Sequence, residues 1–116
     1  MDSPIQPGAD VVSETLDRMW TRFLPDIRDR VSVLESAAAA AADNRLSAPL
    51  RADAHAAAHK LAGTLGTFGL MRGTELARHF EAEFSSDPGP DPNRGKALEE
   101  VAAEIRGMIE NRKPAG

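Results

Sequence analysis

Leu50 to Leu70 read LRADAHAAAHKLAGTLGTFGL. Within it Leu50, Ala54, Ala57, Ala58, Leu61, Leu65 and Phe68 recur at three- and four-residue steps, the spacing that gathers side chains along one face of an α-helix. Ser47 stands where it can cap that helix, and Pro49 fits its first turn, where a missing amide proton costs nothing. Gly66 and Gly69 loosen the far end. A further helix is expected from Leu70 or Met71, with Leu70, Ala77, Phe80 and Phe84 on its buried side.

On the N-terminal side, Leu16, Trp20, Phe23, Leu24, Ile27, Val31 and Leu34 repeat with the same helical period. Pro25 falls inside this run, and proline in a helix interior removes one hydrogen bond and crowds the preceding turn. A break is therefore expected: a short first helix ending near Leu24, then a second opening with Pro25. The alanine tract from Ala37 to Ala42 continues that second helix until Asp43-Asn44, a turn-forming pair. Trp20 and Phe23 are expected in core or end-cap packing.

Beyond the central helices, SSDPGPDPNRG (residues 85–95) holds three prolines and two glycines in eleven residues and reads as a loop. Ala97, Leu98, Val101, Ile105, Met108 and Ile109 then mark the inward face of a last helix, fraying at Lys113-Pro114. Residues 1–10 contain two prolines, a glycine and no periodic pattern, so a flexible N-terminal tail is expected. The organisation this predicts is one helical domain over residues 11–112, with a short flexible tail at 113–116. Short connections between helices of similar length favour antiparallel neighbours. The expected fold is all-α, an antiparallel up-down-up-down four-helix bundle with an additional short N-terminal helix.

Composition narrows the function. Basic residues number 14 against 18 acidic ones, a formal charge of −4, which argues against nucleic acid as a partner because phosphate-backbone binding needs a basic stripe. Cysteine is absent, so neither a disulfide framework nor a thiolate metal site is available. The N-terminus lacks the basic and apolar regions of a signal peptide, and no run of about eighteen apolar residues occurs. A cytoplasmic protein without a membrane partner is expected.

His59 is the residue that calls for chemistry. At about 100° per residue it lies roughly 160° around the helix from Leu61, so its ring should face solvent. Gly63 lies about 40° and Gly66 about 20° from it, with Ala56 and Ala52 one and two turns back. Glycine inside a helix costs about 1 kcal/mol relative to alanine, so two of them beside an exposed histidine suggest close approach by another surface. A neutral imidazole nitrogen is a good nucleophile near neutral pH. Phosphoryl transfer depends on in-line access and on neutralising charge over the equatorial oxygens. No Walker-type loop or clustered acidic magnesium site is present to start such a reaction within this chain.

The stretch Ala56 to Leu70 resembles the signature of histidine-containing phosphotransfer (HPt) domains, in which an alanine-histidine pair is followed by leucine two residues on and glycines four and ten on. Here those positions are Ala58, His59, Leu61, Gly63 and Gly69. The segment from Leu76 to Glu81 resembles the helix that family places alongside. The resemblance implies a four-helix bundle that exposes a phosphorylatable His59. It implies a place in a phosphorelay, exchanging the phosphoryl group with the aspartate of a response-regulator receiver domain, with a response regulator, a hybrid sensor histidine kinase or both as partners. It implies a phosphoryl carrier rather than an enzyme in its own right, needing no cofactor, and a monomer is expected. The surface offered to a partner would comprise Lys60, Gly63, Gly66, His55, Ala52, Ala56 and Ala62. Many members carry lysine three residues after the histidine, where this chain has Ala62. Lys60 is then the nearest cation, with Arg78 and His79 on the neighbouring helix as further candidates for charge screening.

Other readings of the same residues exist. His55 and His59 share a helix face at a metal-ligand spacing, but the chain supplies no obvious third and fourth ligand, and no metal site is expected. Glu75, Glu81 and Glu83 read most simply as a solvated face. A helical adaptor that keeps the fold without transferring phosphate is the alternative function.

Overall fold

In a computed structural model describing residues 7–114, with side chains described from Val11 to Pro114, the chain forms four helices: α1 (Pro7–Ala42), α2 (Ala48–Thr67), α3 (Met71–Glu83) and α4 (Pro92–Glu110). The described residues contain no strand. α1 packs on α2 and α4, and α3 packs on α2 and α4, so the four helices close a ring around one core. Trp20, Ile27, Val31 and Leu34 from α1 meet Leu61 and Leu65 from α2, Leu76 and Phe80 from α3, and Leu98, Ile105 and Ile109 from α4. Phe80 and Phe84 stack at 4.6 Å beneath the loop that follows α3. No helix among the described residues is long and apolar enough to cross a membrane.

The expected additional helix is not there: α1 runs unbroken through Pro25. Proline inside a helix costs about 3 kcal/mol. On either side of it, however, Trp20, Ile27, Val31 and Leu34 are buried on the same stripe, each burial stabilising by roughly 1.5–3 kcal/mol. Pro25 and Thr21, whose carbonyl loses its amide partner, both lie on the exposed side, where water can replace the lost bond. A break would misalign two halves of one buried stripe, so continuity wins. Of the expected N-terminal tail, residues 1–6 lie outside the described residues, while Pro7–Asp10 already belong to α1. Of the expected C-terminal tail, residues 115–116 also lie outside them.

The ends of α2 are set locally. Ser47 accepts a hydrogen bond from the Leu50 amide at 3.2 Å, and Pro49 sits in the first turn. At the other end Gly69 adopts φ +76°, a left-handed conformation that glycine enters without strain. The Gly69 amide bonds the Gly66 carbonyl and the Leu70 amide the Leu65 carbonyl, which turns the chain back into α3. This tight reversal fixes the register of α3 against α2, and with it the surroundings of His59. On the opposite side of the bundle, α4 approaches α1 so closely that a Cβ on Gly95 would collide with the backbone of Ala41 and Ala42.

Candidate functional site

His59 stands on the outer ridge of α2 with its side chain 73% exposed. The buried arc of α2, made of Ala54, Ala57, Ala58, Leu61, Ala62 and Leu65, points into the bundle and leaves the ring between two grooves. The groove toward α3 is occupied by a carboxylate: Nδ1 of His59 lies 2.9 Å from Glu81 Oε2. His55 Nε2 reaches to 3.7 Å of the same oxygen. Because a carboxylate only accepts, the hydrogen bond puts a proton on Nδ1, and in the neutral ring this leaves the lone pair of Nε2 free. That is the arrangement a nucleophilic imidazole requires: one nitrogen held and oriented, the other open to an incoming electrophile.

The groove toward α1 is open. Arg30, His59, Lys60, Gly63, Thr64 and Thr67 line a shallow depression there, and it continues along α1 and α2 into a second one lined by Met19, Phe23, Asp26, Arg30, Thr64, Thr67 and Phe68. Phe23, expected in the packing of α1, is 40% exposed on this surface. It lies at the edge of the buried stripe of α1, about 40° from Ile27 by helical spacing, which leaves half its ring uncovered.

Gly63 is exposed, and a Cβ built on it meets nothing within 4 Å. Ala52, Ala56 and Lys60 are exposed as expected from the helical wheel, and His55 is half-buried beside Glu81. Ala62 corrects the expected surface: it is only 5% exposed, and its carbonyl accepts a hydrogen bond from the buried Thr74 hydroxyl at 2.9 Å. α3 covers that side of α2, widening the buried arc beyond what one helix face suggests. Gly66 belongs partly to the same contact, since its Cβ would lie 3.2 Å from Thr74 Oγ1. Its missing side chain serves helix packing against α3.

The basic candidates separate in the same way. His79 faces the α3–α4 connection, 3.8 Å from Glu83, which also pairs with Arg94, and so stands apart from the groove beside His59. Arg78 is exposed on α3 and makes no hydrogen bond or ion pair among the described residues. Among the described residues no three His, Asp or Glu side chains are grouped to hold a metal ion.

Glu81 is the residue of this site that the linear pattern hides. Thr74, Arg78 and Glu81 follow one another at steps of four and three, so they share the face of α3 that meets α2. Which of them would reach His59 depends on the turn at Gly69 and not on any feature of Glu81 itself.

A family model described as Hpt domain matches residues 18–113. The chain is also 38% identical over 66 residues to Protein RcaC of Microchaete diplosiphon, a match covering 57% of this chain and 10% of that protein. The chain therefore spans about a tenth of the length of that relative. No solved structure matches it. The matched residues reach all four helices and carry the exposed histidine and its glycine-lined approach, and the chain belongs to the Hpt domain family of phosphorelay phosphotransfer modules.

Proposed function

We propose that this chain carries a phosphoryl group on Nε2 of His59 and exchanges it with the aspartate of a receiver domain, either a response regulator or the receiver part of a hybrid sensor kinase. The observation that carries this reading is the pairing of a 73% exposed imidazole with a carboxylate that holds its Nδ1. The Nε2 lone pair attacks phosphorus in line with the bond to the partner's aspartyl oxygen. The N–P bond forms as the P–O bond breaks, and the aspartate leaves with the electron pair as a carboxylate. Positive charge develops on the ring as its lone pair is donated. Glu81 stabilises that charge through the proton on Nδ1, the role of an orienting carboxylate behind a histidine. In the reverse direction the same contacts release the phosphoryl group to an acceptor aspartate.

The partner supplies the aspartate and the metal chemistry of its own site, and this chain supplies the nucleophile and the docking face. Gly63 and Ala56 leave room for the partner's loops next to the ring. The apolar edge formed by Met19, Phe23 and Phe68 offers area to bury alongside. The bundle acts as a single domain and as a monomer in this exchange.

Transfer from phosphorylated receiver domains tests the proposal. The wild-type chain should gain acid-labile phosphate as the receiver loses it, and the H59Q variant should gain none. Equal labelling of both would place the phosphoryl group elsewhere, and no labelling of the wild type by any receiver in a broad panel would favour an adaptor.

A further inference from the structure

We infer that Arg30 of α1 is the cation that meets the phosphoryl oxygens on His59, a task that Hpt relatives with a lysine three residues after the histidine can assign to α2. The inference rests on the carrier reading above. In this chain the position three residues after His59 is Ala62, which is buried. No side chain there can screen a phosphoryl group.

Three observations select Arg30 from the other basic residues. It lines the same depression as His59, together with Lys60 and Gly63. Arg78 does not line that depression. Glu81 takes the ring nitrogen on the α3 side, so the phosphoryl group on the other nitrogen is served best from the α1 side.

The second observation is availability. Arg28 is paired with Glu110, Arg72 with Glu104, Arg94 with Glu83, Arg106 with Glu35 and Arg112 with Asp17. Arg30 makes no hydrogen bond or ion pair among the described residues, although Asp26 stands one turn away on the same helix. Like Arg78, which lies away from the depression, Arg30 keeps all five guanidinium donors for an anion.

The third is positioning. By helical spacing Arg30 sits about 40° from Leu34, at the margin of the buried stripe of α1. It is half-buried, whereas Lys60 is exposed. Packing of its stem restricts its rotamers before the phosphate arrives, which lowers the entropy lost on contact. A guanidinium also presents parallel donors that match two phosphoryl oxygens, while an ammonium acts as a point charge.

The test compares R30Q, R30K, K60Q, R78Q and H59Q in the full chain with two phosphodonors: a phosphorylated receiver and the small molecule phosphoramidate. R30Q should lower the maximal transfer rate from saturating receiver by about tenfold or more and slow labelling by phosphoramidate to a similar degree, because both donors place the same group on Nε2. R30K should recover part of the loss, K60Q should lose less than R30Q because an ammonium acts as a point charge, and R78Q should stay within about threefold of wild type. A defect of R30Q confined to the receiver concentration needed for half-maximal rate, with phosphoramidate labelling unchanged, would make Arg30 a docking residue and overturn the inference. Wild-type rates in R30Q would overturn it too, with H59Q still inactive. Labelling of H59Q would instead bring down the carrier reading. Thermal melts of R30Q and R30K within a few degrees of wild type show that the rates report on charge and not on folding.

Discussion

Glu81 on α3 and His59 on α2 are joined by a 2.9 Å contact between Oε2 and Nδ1, although 22 residues separate them in sequence. The contact converts a surface imidazole, which could carry its proton on either nitrogen, into one with a defined tautomer and a defined free nitrogen. The imidazole proposed to carry the phosphoryl group is therefore held by two helices.

Replacing Glu81 should weaken transfer without unfolding the bundle. Glu81→Gln keeps an acceptor for Nδ1–H but loses the negative charge, and transfer should slow by about tenfold. Glu81→Ala should slow it further, since a general-base or orienting partner contributes roughly 10²–10⁴-fold. Long-range proton–nitrogen NMR of His59 should show the Nδ1–H tautomer in the wild type and a mixture in E81A. An unchanged tautomer in E81A would remove Glu81 from the mechanism.

Two glycines should respond in opposite ways. Gly63→Ala places a methyl group in open space and should raise stability by up to about 1 kcal/mol through helix propensity. Gly63→Gln should fold as well, yet slow transfer from a receiver by about tenfold, equivalent to ~1.4 kcal/mol of lost docking, while leaving phosphoramidate labelling unchanged. Gly95→Ala meets the backbone of Ala41 and Ala42. It should cost at least about 1–3 kcal/mol in denaturant unfolding, the usual penalty for overpacking.

The helical period was enough to read four bundle helices, the cap at Ser47 and the exposure of His59, because each depends on spacing within one helix. Pro25 misleads for the opposite reason. Its local penalty is visible in sequence, but the stripe that outweighs it is buried by α2 and α4, whose contacts no local pattern encodes. Ala62 is similar: a single helical wheel marks it as marginal, and only the arrival of Thr74 from α3 makes it core. Glu81 and Arg30 come from helices on opposite sides of α2, and they could be recognised only once the turn at Gly69 and the unbroken course of α1 set the registers.

The α1–α4 seam should carry an acid-sensitive share of stability. Arg28 hydrogen-bonds Glu110 at 2.7 Å and 2.9 Å, and those bonds, aided by the guanidinium charge and by Arg106, hold the Glu110 carboxyl below the usual carboxylate range. A depressed native pKa means the unfolded chain binds more protons there, so the contribution is complete above the ordinary carboxylate range and fades as pH falls through the native value. Glu110→Gln should lower the melting temperature slightly at neutral pH and flatten its decline below the ordinary range. An acid limb equally steep in E110Q and wild type would show that this pair adds nothing.

The most direct measurement is phosphorus–proton correlation NMR on the chain after transfer from a phosphorylated receiver. Phosphorus on Nε2 couples to both ring carbon-bound protons of the histidine, and phosphorus on Nδ1 to one only. The account predicts a single phosphoramidate resonance correlated to both ring protons of His59 and absent from H59Q. A resonance on Nδ1, on His55 or His79, or on no histidine at all would contradict it.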